Sequence, residues 1–383
     1  MKTKKLLSFI TAAALLITSV TGCSSKTSSE DVKEIKIGAM LPLTGDIATF
    51  GQSAKNALEL LTEQVNKEGG IDGKTVKFVY QDDENKPASS ANVTQKLIND
   101  EKVVALVGSI GSTCSIADGP IATENKIPMV TPTSTNPKVT TEGGEYVFRA
   151  CFIDPFQGTV LAKFASEDLK ATTAAILYDV ANDYSKGLAE YFKANFEKAG
   201  GKVVAYETYN TGDQDFNAQL TKIKSLNPQV LLIPDYYQTV GIIAKQARTA
   251  GITATFLGGD GWDSPELFTI GGDAVNKGYF SNHYSPDDKA KEVQDFISAY
   301  KAKYNTTPDA LAALSYDAGK ILLDAIDKAD SLDGVKIIEA LKATNGTFVS
   351  GSVTYDKDRN PVKGAVIIKT ENGKQVFEKK VNP

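Results

Sequence analysis

The stretch Val103-Val104-Ala105-Leu106-Val107-Gly108-Ser109-Ile110-Gly111-Ser112-Thr113-Cys114 sets the fold. Five apolar residues in a row, mostly β-branched or Leu, read as a strand buried on both faces, as strands of parallel sheets are. Gly108 and Gly111 let the chain turn, and Ser112 or Thr113 suits the N-cap of a helix reaching about residue 125. The free N–H groups and positive dipole end of such a helix make a seat for an anion. No basic residue of the kind that grips a triphosphate stands in the loop, so a small anion such as a carboxylate fits better. A plain βα turn with a good cap is the other reading of the same residues.

Working outward, the same unit repeats. Residues 35–41 and 75–80 read as strands, and 127–130 as a third after the 103–107 run. Between them lie helical patterns, the clearest with Ala54, Ala57, Leu58, Leu61 and Val65 on one face and Gly69-Gly70 as its stop. The alternation restarts after residue 157, with strands at 174–178, 203–209, 230–233 and 255–257. Helices follow near 290–304, 310–329 and 334–343, and the tail reads as strands around 353–355, 364–369 and 376–381. This is an α/β chain of two doubly wound lobes of one design. Ligands of open parallel sheets sit beyond the carboxyl ends of the strands. The loops there are 42–51, 108–113, 131–137, 179–184, 234–238 and 259–263, rich in Gly, Ser, Thr, Tyr and Asp.

Composition narrows the function. Lys2, Lys4 and Lys5 precede an apolar run at 6–20, and Val20-Thr21-Gly22-Cys23 has the look of a lipobox that places an acylated Cys23 at the mature N-terminus. Cleavage after residue 22 removes three lysines and no acid, moving the formal charge from −5 to −8. Without a basic tract, nucleic acid and anionic membrane surfaces are poor partners. A single histidine, His283, excludes His-rich metal sites, and no G-x-S-x-G elbow occurs, so neither a metal centre nor an enzyme is expected. His283 reads as structural. Gly69-Gly70-Ile71-Asp72-Gly73-Lys74-Thr75 is one residue short of a P-loop and precedes a strand, which makes it a tight turn. Cys114 and Cys151 are open to two readings, a disulfide or two buried thiols.

Several short motifs, in this order and spacing, resemble bacterial solute-binding proteins of the leucine/isoleucine/valine-binding type. They are residues 37–45 (Ile-Gly-Ala-Met-Leu-Pro-Leu-Thr-Gly), Val107-Gly108 with Ser112, Pro132 with Thr135, Phe148-Arg149, Asp154 with Gln157-Gly158, Tyr184, and Gly258 with Asp260-Gly261. The resemblance spans roughly residues 33–383 and implies the type I periplasmic-binding-protein fold. Its two lobes would be joined by three hinge crossings, near 149–154, 281–285 and 351–356. It implies a leader at 1–22, a lipidated tether at 23–33, one lobe from 34–150 with 284–352, and the other from 151–283 with 353–383. Ser112, Thr133 (through its backbone) and Thr135 would hold the carboxylate of an amino acid. Tyr184, Tyr236 and Asp260 would meet its amino group, with Phe50 and Trp262 beside the side chain. The family often carries Glu at the Asp260 position, and Ala where this chain has Thr133 and Ser134. The implied protein is a monomeric, cofactor-free receptor, lipid-anchored outside the cytoplasm, that feeds a branched-chain or other small apolar amino acid to an ABC permease. A ligand-sensing accessory of a signalling or chemotaxis system with the same fold is the alternative.

Overall fold

Residues 33–382 are described in the computed structural model, and the apolar run at 103–107 lies at the centre of its first sheet. The strands of that sheet are β1 (Glu34–Leu41), β2 (Thr75–Asp82), β3 (Ala105–Val107), β4 (Met129–Thr131) and β5 (Val147–Arg149). Their order is β2-β1-β3-β4-β5, all parallel, with Ile37 beside Ala105 and Ala39 beside Val107. The period of two splits the side chains between two cores. Ile37, Ala39, Val107, Val130 and Phe148 face helices Ala48–Lys67 and Ala310–Ala329. Met40, Leu106, Met129 and Val147 face helices Pro87–Asn99 and Ser112–Glu124. All three residues of β3 are buried, as a strand covered on both sides requires.

The second sheet holds β6 (Thr173–Asp179), β7 (Lys202–Tyr209), β8 (Val230–Leu232), β9 (Thr255–Gly258) and β10 (Gly278–Asn282). After the small hairpin β11 (Asn345–Phe348) and β12 (Gly351–Thr354), the chain returns to it as β13 (Ala365–Glu371) and β14 (Lys374–Val381). The order is β14-β13-β10-β9-β8-β6-β7, parallel but for the antiparallel β10–β13 and β13–β14 pairs. The two-lobed α/β architecture expected from the sequence is therefore present.

The chain passes between sheets three times: after β5, after β10 and between β12 and β13. The third passage runs later than the 351–356 expected. Arg359 donates to the carbonyls of Val147 (3.0 Å) and Thr140 (2.7 Å), and the Tyr355 ring meets Phe148 edge-on at 5.1 Å. These contacts keep 355–360 against the first sheet before the chain enters β13 at Ala365. Smaller differences are local. Helix Ser112–Glu124 starts at Ser112 with Gly111 at the cap, so neither Ser112 nor Thr113 caps it. The helix expected from 157 begins at Asp154 and ends in a π turn, Phe164–Asp168. The P-loop-like stretch is a tight turn closed by mutual Ile71–Lys74 backbone bonds. Cys114 and Cys151 are free and buried. The leader and Cys23 lie outside the described residues.

Candidate functional site

The site is built where the carboxyl ends of both sheets meet. β9 runs into a single 3₁₀ turn, Asp260–Trp262. Trp262 anchors it from below: the indole is wholly buried and Nε1 donates to the Ile233 carbonyl at 2.9 Å. Trp262 therefore serves the core and does not stand beside a ligand as expected. The anchored turn lifts Asp260 into a nearly buried position where both carboxylate oxygens are engaged. Oδ1 accepts from Gln157 Nε2 at 2.8 Å and from the Tyr184 hydroxyl at 2.9 Å, and Oδ2 lies 3.0 Å from His283 Nε2. Gly259 beside it has no room for a side chain, since a Cβ there would stand 2.5 Å from the Tyr184 oxygen.

Two aromatic rings extend the acidic end. Tyr184 opens helix Asp183–Lys198, its N–H capped by Asn182 Oδ1 at 3.0 Å, and its hydroxyl also accepts the Gly261 N–H at 3.1 Å. Its ring stacks on Tyr236, centroids 5.3 Å apart. Tyr236 is set by Asp235, whose Oδ1 accepts the Tyr236 N–H at 2.7 Å and whose carboxyl is pushed up to about 7 by burial. Burial likewise raises the phenols of Tyr184 and Tyr236 well above their ordinary value, so both remain neutral donors.

The first sheet supplies the opposite wall. Gly108 turns the chain with φ of +128°, and a Cβ there would stand 2.3 Å from the Met40 carbonyl, so only glycine fits. Beyond it Ser112 opens its helix and Oγ accepts the Asn136 N–H at 3.2 Å, while Thr133 Oγ1 donates to the Ile110 carbonyl at 3.0 Å. Phe50, in the first turn of helix Ala48–Lys67, closes one side against Tyr236 and Tyr237.

Phe50, Ser112, Thr133, Tyr184, Tyr236 and Asp260 thus line one small cavity, together with Ile110, Gly261 and Leu311. Thr135 is the exception. It is fully buried outside the lining, its Oγ1 without a partner among the described residues, and its carbonyl accepts the Asp154 N–H at 3.0 Å. Thr135 belongs to the seam behind the site, because that carbonyl ties the 131–137 loop to helix Asp154–Lys163.

The rim of the cavity is laced across the two sheets. The Asp183 N–H donates to Thr113 Oγ1 at 3.0 Å, Asn136 Nδ2 donates to the Asp183 carbonyl at 2.7 Å, and the Thr49 and Ser264 hydroxyls meet at 3.1 Å. Behind the 131–137 loop, Arg149 is fully buried and donates to the carbonyls of Ser134 (2.6 Å) and Asn136 (3.0 Å). It spreads that loop into its working shape and leaves a buried positive charge behind the hydroxyl wall.

The chemistry is that of a clamp. One end offers a carboxylate and two phenols, the other hydroxyls and a helix N-terminus, and Phe50, Ile110 and Leu311 form the apolar side. Among the described residues no group of three His, Cys, Asp or Glu side chains could hold a metal ion. A family model described as periplasmic binding protein matches residues 34–375.

The chain belongs to the periplasmic binding protein family.

Among relatives of this periplasmic binding protein is the leucine-, isoleucine-, valine-, threonine-, and alanine-binding protein of Pseudomonas aeruginosa, 33% identical over 84% of this chain and 86% of the relative. The crystal structure of a leucine binding protein from Thermotoga maritima superposes with a TM-score of 0.87 at 41% identity, covering 91% of this chain and 99% of that one. A branched-chain amino acid transporter substrate binding protein from Streptococcus pneumoniae, in complex with isoleucine, gives 0.86 at 33% identity, covering 92% and 100%.

Sequence reasoning missed several contributors to the site. Gln157 and Arg149 stood in the motifs without a role, and His283 passed for a structural residue. Leu311 carried no local signal: it is one apolar residue among many on its helix, and the packing of that helix against helix Ala48–Lys67, β3 and β4 brings it to the cavity.

Proposed function

We propose that this protein captures an α-amino acid, branched-chain or similarly small and apolar, between its two lobes and delivers it to an ABC importer. The observation that carries the reading is the pairing of opposites across one small cavity. Asp260 with Tyr184 and Tyr236 faces Ser112 and Thr133 at the start of a helix. A zwitterion satisfies both ends at once, because its charges are a few bonds apart. Asp260 takes the ammonium, and Ser112 with the Thr133 backbone and the helix N-terminus takes the carboxylate. Phe50, Ile110 and Leu311 receive the side chain. The names of the Pseudomonas, Thermotoga and Streptococcus relatives support the same ligand class.

The division that goes with this function is 34–150 with 284–360 in one lobe and 151–283 with 361–383 in the other, the passages acting as hinges. Members of the family are extracytoplasmic, and among the described residues no helix is long and apolar enough to cross a membrane. The lipobox-like Val20–Cys23 supports attachment through lipid on Cys23. Mass spectrometry of the native N-terminus tests that attachment; an unmodified start at another residue contradicts it. The ligand reading is tested by titration calorimetry with leucine, isoleucine, valine and alanine. Binding of at least one is expected, and binding of sugars or inorganic ions alone overturns the reading.

A further inference from the structure

We propose that His283 is a positioning residue whose Nε2–H, delivered from the passage after β10, aligns the Asp260 carboxylate for the ligand's ammonium group. This rests on the amino-acid reading of the cleft. His283 is buried, and its Nε2 stands 3.0 Å from Asp260 Oδ2. A carboxylate only accepts, so the ring proton sits on Nε2 and Nδ1 keeps a lone pair, which has no partner among the described residues. The ring is fixed from two directions. Phe152, on the first passage, stacks on it with centroids 3.6 Å apart. The His283 backbone N–H donates to Asn282 Oδ1 at 2.8 Å, holding the residue that carries the ring, and Asn282 Nδ2 in turn donates to Asp263 Oδ2 at 2.9 Å. Two of the three passages between lobes therefore touch directly behind the residue that meets the ammonium.

The protonation state matters to this role. A neutral donor orients the carboxylate and leaves its negative charge for the ligand, whereas an imidazolium would cancel that charge and compete with the ammonium. Burial lowers the His283 pKa from its ordinary 6.5. The charged groups facing the ring are Asp260 and Asp263, which favour its protonation, and Lys363, which opposes it. The ring is therefore neutral near pH 7, as the role requires.

Because the chain has one histidine, an untagged sample gives the Nδ1 and Nε2 signals of a single imidazole in nitrogen-15 NMR. The expected signal is that of a neutral Nε2–H tautomer, and Asp260→Asn shifts its Nε2 resonance. In calorimetry, His283→Phe keeps the stack on Phe152 but loses the donor, and leucine affinity falls about ten- to hundredfold. His283→Gln retains an N–H near the Nε2 position and stays within about threefold of wild type. Wild type also loses affinity in acid as the ring protonates, at a pH where His283→Gln does not. Wild-type affinity in His283→Phe overturns the proposal. So does equal weakness of both variants with a histidine signal indifferent to Asp260→Asn. If wild type binds no amino acid while its histidine still answers to Asp260→Asn, the hydrogen bond stands but the reading of the cleft falls, and the role with it.

Discussion

In the proposed reading, Asp260 concentrates the function in one side chain. Its carboxylate is nearly buried yet carries three donors, from Gln157, Tyr184 and His283, all neutral. They orient it without cancelling its charge, which leaves that charge for the ammonium of the proposed ligand. Removing one member of a buried pair costs about 3–5 kcal/mol, which is on the order of a hundred- to several thousandfold in affinity. Asp260→Ala is therefore expected to abolish measurable leucine binding in calorimetry. Asp260→Asn, which keeps the acceptor and loses the charge, is expected to be nearly as weak. Ser112→Ala removes a single hydroxyl and should cost less, about 1.5–3 kcal/mol. Leucine bound by Asp260→Ala within about threefold of wild type would remove Asp260 from the role. At this scale the sequence was readable where a residue followed its own strand, as Asp260 follows β9 and Ser112 follows β3. It was not readable for Thr135, Trp262 or His283. Whether a side chain points into a cleft or away from it depends on rotamer and neighbour, neither of which leaves a mark in the order of residues.

The elements were more legible, because an apolar run reports its burial directly. The strand expected at 103–107 is β3, Ala105–Val107, and the alternation around it fixes which face each residue serves. Leu106 shows how tight that face is: a Cβ on neighbouring Gly38 would stand 2.7 Å from Leu106 Cδ2. Leu106→Ala would leave a cavity there, and such changes cost about 2–5 kcal/mol of stability. Urea unfolding is expected to show that loss, with leucine affinity of the folded fraction unchanged, since Leu106 faces helices Pro87–Asn99 and Ser112–Glu124 and not the cleft. A stability loss below about 0.5 kcal/mol would mean that the face repacks freely. The third passage was the element least legible. The 355–360 turn has ordinary loop composition, and it is held to the first sheet by the bonds of Arg359 to Val147 and Thr140, the Tyr355–Phe148 ring contact and the Thr140–Asn360 side-chain bond.

For the molecule as a whole, the buried acids set the response to pH. Burial pushes Asp118 up to about 7, Asp154 to about 8, Asp235 to about 7 and Asp309 to about 7. A carboxyl raised in the folded state holds its proton there longer than in the unfolded chain, so its contribution to stability is full in acid and is lost as pH rises through the raised value. His283 is shifted the other way and opposes this trend only below its ordinary 6.5. The ligand-free protein is therefore expected to melt at a lower temperature at about pH 8.5 than at about pH 6.5, and Asp154→Asn should flatten part of that slope. A melting temperature that rises over this range would contradict the sign. The central claim, however, concerns the clamp: a carboxylate seat and an ammonium seat that two lobes close on a single zwitterion. The most direct test is calorimetry of the wild-type protein with leucine, N-acetyl-leucine and leucinamide under identical conditions. The account predicts tight binding of leucine and a loss of about a hundredfold or more for each blocked form, since each lacks one of the two charges. N-acetyl-leucine or leucinamide binding as tightly as leucine would contradict it.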